Sequence, residues 1–332
     1  MLSTLATTLP IRPFSCYTIC MTRKKSFLLS IVIPVLNEEE NIDMLLDTLL
    51  PILKRYTYEL VFVNDGSKDK TVEKIKEVTE KHPQIKLVSF ARNFGHQMAL
   101  TAGYDYIKGD VVISMDADLQ DPPELIHDMI EKWQEGFDIV YAQRKNRNGS
   151  WFKKQSGLWF YDLINRLSEV PIPQDVGDFR LLDRKVVDIL NQLPEKSRFL
   201  RGLVAWSGFP STYIQFTRQE RTAGETHYPL SKMVSFALEG ITSFSTRPLR
   251  VASYLGFLTA GLGILGILYA IGVRLFLPHS FWVTGWTGLF VAITFFGGVQ
   301  LISIGIIGEY IGKIYKQVQQ RPHYVVGETA NI

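Results

Sequence analysis

Asp116 and Asp118, separated by one alanine, close an apolar run at Asp110–Met115, and Gln120 and Asp121 follow at once. Two carboxylates this close repel each other unless a cation lies between them. Oxygen donors without sulfur or imidazole select a hard divalent ion, Mg2+ or Mn2+. Such an ion keeps waters and takes phosphate oxygens as further ligands. A pyrophosphate bridged by it becomes a good leaving group, because the ion carries the negative charge that develops on departure. A lone Asp-x-Asp occurs by chance, but here a second carboxylate, Asp65, follows another apolar run in Asn64-Asp65-Gly66-Ser67. That is where a wound α/β sheet puts a carboxylate to accept hydrogen bonds from a base or ribose.

Other chemistries lack the residues they need. No Gly-x-Gly-x-x-Gly follows the first apolar run and no Walker lysine is present, which argues against a dinucleotide cofactor and against ATP hydrolysis. There is no Gly-x-Ser-x-Gly elbow, and the two cysteines, Cys16 and Cys20, both precede the body of the chain. Thiol catalysis and disulfides in that body are therefore excluded, as suits a reducing compartment. His96, His127 and His227 read as surface or capping residues. With 36 Lys+Arg against 33 Asp+Glu, the net charge of +3 is too near neutral to mark a nucleic-acid binder. An apolar share of 46% and a charged share of 21% exclude disorder.

The elements that must position these residues show in the hydrophobic pattern. Four nearly continuous apolar runs, Leu29–Val35, Glu59–Val63, Ile85–Phe90 and Asp110–Met115, read as parallel strands covered on both faces. Helical segments at Asn41–Leu53, Lys70–Lys81 and Phe94–Ile107 separate them. Alternating strand and helix predicts a doubly wound, Rossmann-like α/β sheet with its ligands at the carboxyl ends of the strands. The polar signatures fall there: Asn37 and Glu38 after the first run, Asn64 to Ser67 after the second, Arg92 and Asn93 after the third, and Asp116 to Asp121 after the fourth. All four should meet at one sheet edge.

Residues 1–25 read as a disordered, dispensable leader, because Pro10 and Pro13 interrupt any signal-like apolar run and Met21 offers a second start. Residues 26–229 form the catalytic domain. Residues 230–250 carry apolar positions at helical spacing and read as an interfacial amphipathic helix, with Leu158–Leu167 similar to it. Residues 251–316 hold two spans, and 317–332 form a cytoplasmic tail. Val251–Val273 and Gly285–Gly308 are free of charge. Each would be roughly 35 Å long as a helix, enough for a hydrocarbon core of about 30 Å. Arg247, Arg250, Lys313, Lys316 and Arg321 flank the outer ends. By the positive-inside rule the domain and both termini then face the cytosol of a cell with this protein in its plasma membrane. The glycines of the spans suit self-association into a homo-oligomer.

The strings IVIPVLNEEENI, VNDGSKDKT, ARNFGHQMAL and MDADLQDPPE resemble family 2 glycosyltransferases of the GT-A fold. DVGDFRLLDR, RFLRGLVAWSGF and RQERTAGETHYPLSKM, followed by two spans, narrow the resemblance to polyprenyl-phosphate glycosyltransferases. These comprise bacterial undecaprenyl-phosphate glucosyltransferases and the related dolichyl-phosphate mannose synthases. The resemblance implies that Pro34, Asn37, Glu38 and Asp65 bind the nucleotide, and that Asp116, Asp118 and Gln120 hold the metal and diphosphate. It places Arg144, Lys153, Lys154 and Ser156 at the acceptor phosphate, with Asp178, Arg201 and Arg221 as further active-site residues. Where the family often has Ser-Lys-Tyr after Gly-Glu, this chain has Thr226-His227-Tyr228. No Gln-x-x-Arg-Trp string is present, against a processive polymerase. The implied reaction moves a hexose, glucose from UDP-glucose, to undecaprenyl phosphate with inversion. GDP-mannose as donor and a silent nucleotide-sugar-binding scaffold are the alternatives.

Overall fold

The computed structural model describes residues 23, 26–145, 173, 175–217, 242, 245–276 and 285–332. The four apolar runs form strands β1 (Leu28–Val35), β2 (Thr57–Asn64), β3 (Ile85–Phe90) and β4 (Val111–Ser114). The helices between them are α1 (Ile42–Leu53), α2 (Thr71–Lys81) and α3 (His96–Tyr106). Beyond them lie α4 (Leu125–Gln134), β5 (Ile139–Arg144), β6 (Val176–Asp183), α5 (Arg184–Gln192), α6 (Leu200–Trp206) and β7 (Ser211–Phe216). One sheet holds the strands in the order β7-β5-β6-β4-β1-β2-β3-β8, where β8 is Val326–Ala330. It is mostly parallel; β6 runs against β4 and β5, and β8 against β3.

Both faces of the sheet are covered, which is why the central strands read as unbroken apolar runs. Ile31 and Ile33 of β1 face a core with Leu45 and Leu49 of α1, Ile75 of α2 and Met129 of α4. Val32 between them faces the other core, with Leu100 of α3, Val187 of α5 and Leu203 of α6. The period-two alternation of a strand thus divides one apolar sequence between two layers.

A buried ion pair pins the edge opposite the site. Glu59 of β2 accepts from Lys86 Nζ at 2.7 Å, Ser30 Oγ at 2.5 Å and the backbone of Lys108 at 2.5 Å. Burial alone would raise the Glu59 carboxyl, but these donors outweigh it and hold it below its ordinary value. Its folded pKa lies under its unfolded one, so the contribution is complete at neutral pH and is lost as the pH falls through the folded pKa. Glu59→Gln, which leaves Lys86 buried and unpaired, should cost about 3–5 kcal/mol at pH 7. Denaturant titrations should show the deficit starting to shrink below about pH 4, where the unfolded carboxyl takes up its proton, and closing only as the pH falls through the lower folded pKa.

Arg23 departs from the reading of residues 1–25 as dispensable. Its guanidinium pairs with Asp183 and with Asp138 at 2.5 Å, donates to the Phe137 carbonyl at 3.0 Å, and lies 4.5 Å from the Trp133 ring centroid.

Two long apolar helices follow, α7 (Arg247–Phe276) and α8 (Trp286–Val318), packed on each other. Both are long and apolar enough to cross a membrane, and their apolar side chains point outward, Phe257 being 78% and Leu301 71% exposed. α7 begins at Arg247, inside the stretch read as interfacial, and the rest of that stretch lies almost wholly outside the described residues. α8 continues past its uncharged portion through Glu309, Lys313 and Lys316. Beyond it the chain returns to the domain: β8 joins β3, Tyr324 stacks on Phe90 at 4.9 Å and its hydroxyl donates to Asp105 at 2.7 Å. The tail is therefore an edge strand, a feature its short sequence Val-Gly-Glu-Thr-Ala did not announce.

Candidate active site

The parallel strands release their chains at one edge, and the four polar signatures do meet there. Pro34, near the end of β1, pairs in register with Val63 of β2, while the last β1 partner on the other side is Val32. Its missing N–H therefore falls where β4 has ended and no ladder bond is lost. Asn37 adopts φ 54°, a left-handed conformation that asparagine tolerates. Its amide N–H donates to Ser67 Oγ at 2.9 Å and its side-chain oxygen accepts from Lys68 N at 2.8 Å. Glu38 N donates to Thr71 Oγ1 at 2.9 Å, and the Glu38 carboxylate accepts from Asn41 Nδ2 at 2.6 Å. These bonds lace the loop after β1 to the loop after β2.

Asp65 is buried, and its carboxylate accepts from the backbone of Phe94 at 2.6 Å and of Gly95 at 3.0 Å. Burial pushes its pKa up against these two amides and against the charges of His96 and Arg92. Asp65 thus holds the turn between β3 and α3, a duty the sequence alone did not suggest for it. The glycine after it is required. Gly66 has φ +78°, and a Cβ there would meet the Arg92 carbonyl carbon and Asn93 nitrogen at 2.6 Å each. Gly66→Ala should cost about 1–3 kcal/mol in a denaturant titration.

The Asp-x-Asp pair follows β4. Leu119 sits at φ 54°, a conformation unfavourable for a branched side chain and found where a site over-determines its backbone. That turn lets Asp118 accept from Gln120 N at 3.2 Å. Gln120 is buried, as is Asp121. Burial raises the Asp116 pKa, and the charges of Asp178 and Asp118 raise it further, against His96 and Arg144. A carboxylate crowded in this way gains from a bound cation. Among the described residues no three His, Cys, Asp or Glu side chains form a metal cluster. The residues present fit an ion that takes one or two carboxylates and completes its shell with diphosphate and water.

The far side of the edge is built by strands the sequence did not predict. Asp178 lies in β6, buried, and its carboxylate pairs with the wholly buried Arg180. It also accepts from Arg201 Nη2 of α6 at 3.2 Å and from Gln97 Nε2 at 3.4 Å. Burial alone would raise Asp178, but Arg201, His96 and Arg180 together hold it far below the usual carboxylate range. Ser114 Oγ, at the end of β4, donates to the Asp178 carbonyl at 2.5 Å and fixes β6 against β4. Arg144 ends β5 with Nη2 3.6 Å from Asp121 Oδ1, and its charge reaches Asp116.

His96 adds to the sequence reading. It is 44% exposed and opens α3, as a surface residue at a helix start would, but it also points Nε2 at Asp178 Oδ2, 3.3 Å away, and at Asp116 Oδ1, 3.6 Å away. Burial opposes its charged form, but the Asp178 hydrogen bond and the charges of Asp116 and Asp178 outweigh that and raise its pKa. The only hint in sequence was its place one residue after Gly95, at a helix start beyond a strand. The edge therefore unites Asn37, Glu38, Asp65, Asp116, Asp118, Gln120, Arg144, Asp178 and Arg201. Lys153, Lys154, Ser156 and Arg221, together with Leu158–Leu167, lie outside the described residues.

A sheet edge with paired carboxylates, facing cations and a laced loop suits a nucleoside diphosphate donor. Residues 30–190, which span β1 to α5, match the model of glycosyl transferase family 2. Over 306 residues the chain is 48% identical to an uncharacterised glycosyltransferase of Bacillus subtilis, covering 91% of this chain and 94% of that protein. The chain belongs to glycosyl transferase family 2. This transferase is also 44% identical over 301 residues to a bactoprenol glucosyl transferase derived from the SfII prophage of Shigella flexneri, covering 90% of this chain and 97% of the relative. A remoter likeness, 19% identical with a TM-score of 0.43, covers 65% of the transferase and 78% of glucosyl-3-phosphoglycerate synthase from Mycobacterium tuberculosis. That likeness is too distant to bear on donor, acceptor or metal. The GT-A-like sheet expected of the transferase is present, with its antiparallel strand β6 carrying part of the site.

Proposed function

We propose that the transferase moves glucose from UDP-glucose to a polyprenyl phosphate, undecaprenyl phosphate, at the cytosolic face of the plasma membrane. The observation that carries this reading is the meeting of Asp116 and Asp118 with the guanidinium of Arg144 at one sheet edge, in a chain whose two apolar helices expose their side chains. The full-length likeness to a bactoprenol glucosyl transferase supports the choice of acceptor and sugar. The return of β8 to β3 after the helix pair supports a hairpin through the membrane, with the chain's end on the same side as its domain.

The chemistry asks little of a general base, since a phosphate acceptor is already anionic at neutral pH. It asks for cations that hold the acceptor without quenching it, and Arg144 is of that type. Lys153, Lys154 and Ser156 belong to the same proposed subsite. Asp116 and Asp118, with Gln120 beside them, would hold Mg2+ or Mn2+ and the donor diphosphate. When bound, such an ion stabilises the charge that develops on the leaving nucleoside diphosphate. A phosphate oxygen of the acceptor attacks the anomeric carbon as the bond to the diphosphate oxygen breaks, so configuration inverts in a single step. Asp178 stays ionised and fixes Arg201 beside the reacting groups. It has no proton to give and little tendency to take one.

The test supplies purified protein in detergent with undecaprenyl phosphate, Mg2+ and, separately, labelled UDP-glucose, UDP-galactose, UDP-GlcNAc and GDP-mannose. Label entering lipid from UDP-glucose alone is the expected result. Transfer from GDP-mannose instead would move the transferase to the mannose synthases. Nucleotide binding without transfer from any donor would favour a silent scaffold.

A further inference from the structure

The turn that opens α3 touches both halves of the site. Phe94 and Gly95 donate to Asp65 at the end of β2, and Gln97 Oε1 accepts from Leu200 N, at the start of α6, at 3.1 Å. Between them His96 Nε2 lies 3.3 Å from Asp178 Oδ2 and 3.6 Å from Asp116 Oδ1. Without it Asp116 and Asp178 face each other as like charges, and Asp116 has no other donor of this kind reaching from α3. We propose that His96 is a positioning residue that holds the Asp116 carboxylate against Asp178, and that the metal-dependent share of diphosphate binding depends on it. This rests on the nucleotide-sugar reading of the site and adds a role for α3 to it.

The geometry separates two contributions to donor binding. The loops after β1 and β2 are braced by hydrogen bonds of Asn37, Asp65 and Ser67 in which the His96 ring takes no part, and His96 reaches them only through its charge on Asp65, so nucleotide affinity without a divalent ion should depend on it little. Only the increment that the ion adds, through Asp116, should require it. A side chain that orients a metal-binding carboxylate typically governs metal affinity by about 10- to 100-fold.

Calorimetry on the full chain in detergent, titrating UDP with Mn2+ present and again in EDTA, tests this. His96→Ala should lose about tenfold or more of the Mn2+-dependent gain in UDP affinity, with affinity in EDTA within about twofold of wild type. His96→Gln, whose amide Nε2 can still donate to Asp178, should recover most of that gain. His96→Asn, too short to reach, should behave like His96→Ala and replaces it if that variant does not fold. A full Mn2+-dependent gain in His96→Ala or His96→Asn would overturn the proposal. So would an equal loss with and without Mn2+, which marks a merely structural residue. Wild-type protein that binds UDP under neither condition would instead overturn the UDP-sugar reading of the site, and this proposal with it.

Discussion

Replacing Asp178 by asparagine is expected to lower turnover by about 100-fold or more and to cost about 3–5 kcal/mol of stability. The two losses share one cause. Asp178 is buried and ionised, and it faces Arg180, which is itself wholly buried. Among the described residues Arg180 Nε and Nη1 have no partner, so the Asp178 carboxylate is the principal compensation for that buried charge. An amide of the same shape keeps a hydrogen bond but removes the compensating charge, and breaking one side of a buried pair costs more than the pair contributes. Arg201, held through both carboxylate oxygens, then loses its fixed position at the edge of the site. Label transfer and denaturant unfolding on the same purified protein read the two effects. Wild-type turnover in Asp178→Asn would show that the cluster plays no part in the reaction.

Asp118→Ala should have the opposite profile, with turnover lost by about 1000-fold and stability changed by about 1 kcal/mol or less. The Asp118 carboxylate is only partly buried, and the backbone of Gln120 is the donor it meets in its own turn. Losing that bond costs little, because Leu119 is held in its left-handed conformation by the strand before it and the buried Gln120 and Asp121 after it. Losing the carboxylate removes half of the pair that would carry the ion and the diphosphate. UDP affinity should fall in Mn2+ and stay unchanged in EDTA. Turnover near the wild-type rate would remove the metal from the account.

The two variants also mark what the sequence could reveal. Asp116 and Asp118 were legible because a parallel strand covered on both faces is one apolar run, and whatever follows it must lie at the sheet edge. The same logic located Asn37, Glu38 and Asp65. Strand β6 escaped because Asp178 and Arg180 sit inside it; charges in a buried strand break the apolar run, and only their mutual pairing makes that burial possible. His96 escaped for a related reason. Its neighbours lie just after β4 and within β6, far off in sequence, and no local pattern distinguishes a helix-starting histidine aimed at solvent from one aimed between two carboxylates. Strand β8 has no apolar signature because it lies at an edge, where pairing with β3 supplies most of its reason to be a strand.

The anomeric configuration of the lipid-linked product tests the central claim most directly. Protein incubated with UDP-glucose, an α-linked donor, and undecaprenyl phosphate should yield a glucosyl phosphate whose anomeric coupling in NMR is that of the β configuration. One displacement by an acceptor oxygen, with UDP leaving from the opposite face, gives that result. An α-linked product would contradict it, since a single displacement from the face opposite the leaving UDP cannot retain configuration.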